Sequence, residues 1–204
     1  RYAHVAKAFN AIGVNVFTFD LRGHGQSEGP RAFVNNIDEY RQDVEKIFLT
    51  IPKDLPFYIL GHSMGGLITL QFLMFRERTD IAGVILSGAA LEIGEDITPT
   101  TQKILGFVGK ILPKIKTVKI DPKLITRDPN EVEKYITDPL MYTDGAKAGL
   151  GLALLNAIAE MKPKFKAFDF PVLIMHGGED KITNLEGSKS LYNKCKSADK
   201  TLKI

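Results

Sequence analysis

Four apolar runs of strand length punctuate the chain, at Val14–Phe19, Phe57–Leu60, Ile81–Leu86 and Val172–Met175, and each is followed within a few residues by glycine. Runs this short and continuous suit strands buried on both faces of a parallel sheet. Between the first two the period changes. Ile37, Tyr40, Val44, Ile47, Phe48 and Ile51 recur mostly at three- and four-residue steps, while Asp38, Glu39, Arg41, Asp43 and Glu45 take the other side. That is the stripe of an amphipathic helix, and Pro52 ends it. Strand, helix and strand at this spacing predict an α/β fold, a mostly parallel sheet flanked by helices.

After Leu86 the alternation breaks. From Leu91 to Lys166 the patterns are helical, interrupted by Pro99, Pro113, Pro122, Pro129 and Pro139, with no buried strand among them. This predicts a helical cap at residues 91–166, inserted into a core formed by residues 1–90 and 167–204. Lys103–Lys123 holds six lysines against one acid, Asp121, so this short segment carries +5 of a chain whose net charge is only +3. Ile104, Leu105, Phe107, Val108, Ile111 and Leu112 sit among those lysines. An apolar and basic segment suits peripheral contact with an anionic membrane surface. The plainer alternative is a solvated helix that packs its apolar side on the body below.

At 204 residues, 44% hydrophobic and 25% charged, the chain is long enough to bury a sizeable core as one domain. Its small net charge argues against a nucleic-acid partner. Cys195 is the single cysteine, which excludes an intramolecular disulfide, and the chain has no Asn-x-Ser/Thr sequon. Both features favour a reducing, cytoplasmic setting. No stretch reaches 18 uninterrupted apolar residues, and Arg-Tyr-Ala-His at the start is no secretion signal. Oligomeric state is not encoded in any of these features.

The chemistry concentrates at Gly61-His62-Ser63-Met64-Gly65. A bare G-x-S-x-G arises by chance in roughly one chain in ten of this length, so the flanks decide. Here a strand precedes it and the helical run Leu67–Phe75 follows, the setting of a nucleophile elbow. A strand turning at once into a helix brings backbones close and strains the serine, so side chains at the flanking glycines are expected to clash. Ser63 then presents its hydroxyl at the carboxyl edge of the sheet, and the free N–H of Met64 at the helix start suits a developing oxyanion. Asp180 lies in His176-Gly177-Gly178-Glu179-Asp180, directly after the last clear strand; Glu179 and the more distant Asp169 are rival carboxylates. A serine followed far downstream by an acid matches the Ser…Asp…His order. The four histidines are His4, His24, His62 and His176, and none follows Asp180. Without a base, Ser63 is a weak nucleophile.

Leu21-Arg22-Gly23-His24-Gly25-Gln26-Ser27-Glu28-Gly29, Gly61-His62-Ser63-Met64-Gly65-Gly66, Tyr135-Ile136-Thr137-Asp138-Pro139-Leu140, Leu154-Leu155-Asn156-Ala157 and Lys200-Thr201-Leu202-Lys203-Ile204 together resemble the monoacylglycerol lipases. These belong to the wider serine-aminopeptidase and lysophospholipase-like group of α/β-hydrolases. The resemblance implies an α/β-hydrolase fold, with Ser63 as nucleophile, Asp180 as the triad acid and Met64 N–H as one oxyanion donor. It further implies that Tyr135 contacts the glycerol end of the substrate, that Arg1 lines a narrow polar passage, and that Leu154 and Leu155 wall an acyl tunnel. Ordinary core packing is the alternative for the two leucines. The implied reaction is hydrolysis of a lipid ester, a monoacylglycerol or lysophospholipid, through an acyl-enzyme. A peptidase or short-chain esterase of the same group, or a silent binding protein on the same fold, shares these motifs.

In that family a His-Gly oxyanion loop lies upstream of the position matching Arg1, and the catalytic histidine lies a few residues beyond the position matching Ile204. The family's upstream strand would sit between the strands at Val14 and Phe57. Its removal would leave rows of unpaired backbone groups at about 1–3 kcal/mol each, which predicts a longer natural polypeptide. No cofactor is implied: Gly23-x-Gly25-x-x-x-Gly29 misses the dinucleotide spacing by one residue, and the P-loop pattern is absent. No metal is implied either, because His62 and His176 lie too far from further candidate ligands in sequence to suggest a metal site.

Overall fold

The computed structural model describes residues 2–52, 54–75, 81–94, 97–117 and 119–204. Four parallel strands form one sheet in chain order: β1 (Phe57–His62), β2 (Ile81–Ser87), β3 (Val172–Met175) and β4 (Lys200–Lys203). Parallel neighbours need crossover connections, and helices supply them. The crossovers contain α3 (Met64–Met74), α4 (Pro99–Ile111), α5 (Pro129–Thr137), α6 (Ala148–Met161) and α7 (Leu185–Lys194), while α1 (Ala3–Ala11) and α2 (Asp38–Thr50) precede β1. Short 3-10 turns at Pro122–Leu124 and Lys162–Ala167 join them. Local chemistry sets several of the helix starts. Thr98, Asp128 and Asn184 each accept a backbone N–H at an N-cap, and Pro99 and Pro129 occupy first helical positions, where no N–H is needed.

α3 is apolar on nearly every side. Such a helix must be surrounded, and Gly66 through Leu73 are all buried. It packs on β1, α2 and α6. The Phe48 ring of α2 meets Phe57 of β1 edge-on at 5.3 Å and Phe72 of α3 at 5.4 Å, so three elements share one aromatic contact. From the segment between β2 and β3, α6 contributes Leu150, Ala153, Ala157 and Ile158 to the same core. At the foot of that segment Glu92 pairs with Lys162 at 2.5 Å, which clasps its two ends together.

One expected strand is absent. Val14–Phe19 is extended but belongs to no ladder, and Val14, Val16, Phe17 and Phe19 are exposed. A strand exists only through a neighbour's N–H and C=O groups, and no described strand lies beside this run. β1 pairs with β2 alone, leaving Tyr58 and Leu60 exposed as well. The other three expected strands are present, with β1 running two residues further than the apolar run indicated.

Arg22 ties the loop after Phe19 to α2. Its guanidinium donates to both oxygens of Asp43, at 2.5 and 2.6 Å, and to Glu39 at 2.7 Å. The planar fork fits two carboxylates as an ammonium cannot. Arg22→Lys is expected to lower unfolding stability by about 1–2 kcal/mol, read from the midpoint of urea denaturation, while Arg41→Lys at the exposed neighbouring pair leaves it within about 0.5 kcal/mol.

Candidate active site

Ser63 occupies the junction between β1 and α3 with φ of 52° and ψ of −122°. A side chain at positive φ is strained by about 1–3 kcal/mol, and packing on both sides holds it there. A Cβ on Gly61 would lie 2.7 Å from the carbonyl oxygen of Gly65 and 2.8 Å from Cα of Gly66. A Cβ on Gly66 would lie 2.5 Å from Cβ of Ala89. Gly65, expected to be equally crowded, has no atom within 4 Å of such a Cβ. The close approach at the helix start therefore falls on Gly66, one residue later than the motif suggested, and Gly65 faces open space.

Hydrogen bonds beyond the strand ends bring this turn to the other candidate residues. The N–H of Ser63 donates to the Ser87 carbonyl at 3.0 Å, Gly88 N–H to Met175 at 2.8 Å, and His176 N–H to Lys203 at 2.9 Å. The residues that leave β1, β2 and β3 are thus held side by side at the carboxyl edge, where open α/β sheets place their ligands. Gly88 is the pivot. A Cβ there would stand 3.3 Å from Oδ2 of Asp180 and 3.7 Å from Cε1 of His62, so the elbow and the Asp180 loop converge over a residue whose φ of 49° suits glycine and where a side chain would press on the carboxylate.

Asp180 is held by its own loop. Its Oδ1 accepts the N–H groups of Ile182 at 2.8 Å and Thr183 at 2.9 Å, and its Oδ2 accepts the Thr183 hydroxyl at 2.7 Å. Burial works against its charge, yet the Thr183 N–H and hydroxyl, the Ile182 N–H and nearby His176 outweigh it, and the carboxyl sits below the usual aspartate range. It is an anion at neutral and mildly acidic pH. The rivals are placed elsewhere: Glu179 is exposed and paired with Arg127, and Asp169 lies before β3.

Met64 is the first residue of α3, where a helix leaves its N–H groups without intrahelical acceptors. Tyr135 is half-buried on α5, and the Arg127–Glu179 pair draws the chain leading into α5 to the Asp180 loop. Leu154 and Leu155 are half-buried on α6, with Leu154 packed against the core. Arg1 lies outside the described residues. The histidines are spread out. His4 is on α1, His24 is buried enough to depress its basicity, His62 sits 3.3 Å from the Ser87 hydroxyl, and His176 is sealed behind Asp180. Among the described residues no three His, Cys, Asp or Glu side chains gather as metal ligands would.

Sequence reasoning passed over Gly88, Thr183 and Arg127. The glycine directly after β2 was a visible cue, whereas the other two act through contacts that exist only after folding.

The family model for serine aminopeptidase, S33, matches residues 1–204. The chain belongs to this family. A monoacylglycerol lipase of Mycolicibacterium smegmatis is 32% identical over the whole chain, which covers 74% of that relative. The mouse monoglyceride lipase is 34% identical, again over the whole chain and across 68% of its own length. The crystal structure of Paleococcus ferrophilus monoacylglycerol lipase superposes with a TM-score of 0.89 at 30% identity, covering all of this chain and 77% of that one. This serine aminopeptidase, S33, member has the α/β-hydrolase fold and is a carboxylic ester hydrolase.

The crowding around the turn separates the three glycines experimentally. Gly61→Ala and Gly66→Ala are each expected to cost about 1–3 kcal/mol through overpacking, whereas Gly65→Ala stays within about 1 kcal/mol of the parent. Denaturant unfolding of the three variants checks the order.

Proposed function

We propose that the protein hydrolyses monoacylglycerols through an acyl-enzyme at Ser63. The observation that carries this reading is the strained, ladder-anchored Ser63 at the start of α3, converging with an ionised Asp180 over Gly88. Ser63 Oγ attacks the ester carbonyl while an imidazole takes its proton. Asp180 receives the other N–H of that imidazole and stabilises the imidazolium that forms. The carbonyl oxygen becomes an oxyanion, to which the N–H of Met64 donates, aided by the positive end of the α3 dipole. Collapse expels the glycerol oxygen, which takes the proton back from the imidazolium. Water then enters by the same route and releases the fatty acid.

The lipid assignment rests on the relatives named above and on the helical segment between β2 and β3, which we take as a cap at residues 91–166. Tyr135 addresses the glycerol end of the substrate, and Leu154 and Leu155 line the acyl chain. By the family resemblance Arg1 belongs to a narrow polar passage. A lysophospholipid offers the same acyl chain and ester, so head-group preference is part of the test.

The outer face of α4 supports delivery from a membrane. Gly109 packs so closely on α6 that a Cβ there would lie 2.8 Å from Cβ of Leu152, while Ile104, Phe107 and Ile111 point outward and are exposed. The helix thus has an inner apolar face against α6 and a second one left to solvent among lysines. An exposed Phe107 and Ile111 beside Lys110 and Lys114 fit the interface of an anionic leaflet. Among the described residues no helix is long and apolar enough to cross a membrane, so the contact we propose is peripheral. The buried free thiol of Cys195 supports a cytoplasmic setting.

Intact mass after exposure to a lipophilic fluorophosphonate is expected to show one adduct that disappears in Ser63→Ala. A long-chain monoacylglycerol should turn over faster than short-chain esters or aminoacyl substrates; the reverse order makes this a short-chain esterase or peptidase, and a folded protein that forms no adduct is a binding module.

Sedimentation with vesicles containing anionic lipid tests the surface separately. Phe107→Ser with Lys110→Glu and Lys114→Glu should reduce the bound fraction while leaving turnover of a water-soluble ester intact, and unchanged sedimentation removes the membrane contact.

A further inference from the structure

Behind Asp180 lies a buried chain of side chains that the acyl-transfer reading leaves unused. His176, Thr183 and Ser188 are 4%, 7% and 0% exposed. Nδ1 of His176 is 2.8 Å from the Ser188 hydroxyl on α7. Its Nε2 is 3.1 Å from the carbonyl oxygen of Thr183 and 3.3 Å from the Thr183 hydroxyl. That hydroxyl is in turn 2.7 Å from Oδ2 of Asp180.

Donor and acceptor rules fix the direction of the chain from His176 onward. A carbonyl oxygen only accepts, so Nε2 of His176 carries the proton. Nδ1 and the Ser188 hydroxyl share the bond at the far end of the ring, and either of the two can be its donor. The Thr183 hydroxyl donates its proton to the carboxylate, which leaves its oxygen free to share the Nε2 proton with the carbonyl. From His176 through Thr183 to Asp180 the bonds point the same way, and bonds so aligned polarise one another.

The count at the carboxylate explains what this achieves. Two oxygens offer about four lone-pair sites. Ile182 N–H and Thr183 N–H fill both sites on Oδ1, and the Thr183 hydroxyl fills one on Oδ2. His176 itself stands 3.6 Å from Oδ2, outside hydrogen-bond range, because its proton is already directed at Thr183. One site on Oδ2 is left, on the oxygen that lies beside Gly88 and the elbow.

We infer that Thr183, backed by His176 and Ser188, is a positioning residue that fixes Asp180 in the one orientation offering a single lone pair to the imidazole of the triad. The inference rests on Asp180 being the triad acid. Without the hydroxyl the carboxylate is still held at Oδ1 but is free to turn about that anchor, and a small misalignment of a catalytic carboxylate slows the chemical step while leaving substrate binding alone.

The test compares Thr183→Val, which keeps the shape of the side chain, with Thr183→Ser, which keeps the hydroxyl. Both are made in the full-length protein and assayed on a detergent-dispersed monoacylglycerol, with Asp180→Asn as reference and thermal unfolding as a check on folding. Thr183→Val is expected to lower kcat about tenfold with KM within about twofold, and Thr183→Ser to recover most of that loss. Ser188→Ala, at the far end of the chain, should lower kcat by a smaller factor in the same direction and covers the case in which Thr183→Val does not fold. An inactive Asp180→Asn beside a Thr183→Val of parental kcat overturns this inference alone, as does a Thr183→Ser as slow as the valine variant. An active Asp180→Asn overturns the assignment of the acid and this inference with it.

Discussion

Between Gly61 and Gly66 the chain passes from strand to helix with no intervening loop, and the strain this places on Ser63 is the constraint that the rest of the molecule serves. A residue at φ of 52° persists only where its surroundings leave no alternative. Here the ladder fixes it from one side through the Ser63–Ser87 hydrogen bond, and the buried barrel of α3 fixes it from the other. The close contacts at Gly61 and Gly66 let helix and strand meet at that angle. Widening either contact would allow the serine to relax toward an ordinary conformation, withdrawing its hydroxyl from the edge where Asp180 is waiting. Core packing and the geometry of the proposed site are therefore one property in this part of the chain.

The same economy shows on the acid side. Asp180 follows a strand of only four residues, and its loop is too short to be steered by a core of its own. Its carboxylate is oriented by polar contacts instead, two from backbone N–H groups and one from a hydroxyl. Buried polar groups are costly unless fully paired, so a network of this kind has one low-energy arrangement and tolerates few others. Hydrophobic packing could hold the loop in place, but it could not select which oxygen of the carboxylate faces the elbow. Direction is what hydrogen bonds add.

The two halves of the site differ in how far they were legible from the sequence. The elbow was, because strand, turn and helix each leave a local trace in residue order, and α2 and α3 follow their apolar patterns closely. Val14–Phe19 was not. Its composition is that of a buried strand, but burial and pairing are relations with a neighbour that a single run of residues does not contain. Gly65 and Gly66 show the limit at finer scale, since the motif marks Gly65 and only the folded structure shows that its neighbour Gly66 is the one against Ala89. Thr183 is harder still. Three residues beyond an aspartate, a threonine reads as loop chemistry, and its hydroxyl acquires a role only once β3, β4 and α7 have enclosed His176 behind it.

The segment between β2 and β3 answers to a different balance. α6 is drawn into the main core through Ala153 and Ala157, whose small side chains admit α3 at close range. α4 packs on α6 in turn, and among the described residues Ile104, Phe107 and Ile111 on its far side are left exposed. A helix in that position normally presents polar residues outward, yet Ile104, Phe107 and Ile111 do so instead, among lysines. Exposed apolar area on this scale works against solubility and adds nothing to folding, so its retention points to a surface that is only intermittently exposed to water. An ester with a long acyl chain partitions into bilayers, and an enzyme for it must meet the substrate there. In the peripheral contact proposed above, the lysines would supply long-range attraction to an anionic leaflet and the three apolar side chains short-range insertion. The ion pair of Arg127 with Glu179 gives the segment a tether beside Asp180 that is exposed and therefore weak. The segment is thus firmly rooted at Glu92 and Lys162, bound to the core along α6, and lightly held where the substrate would pass.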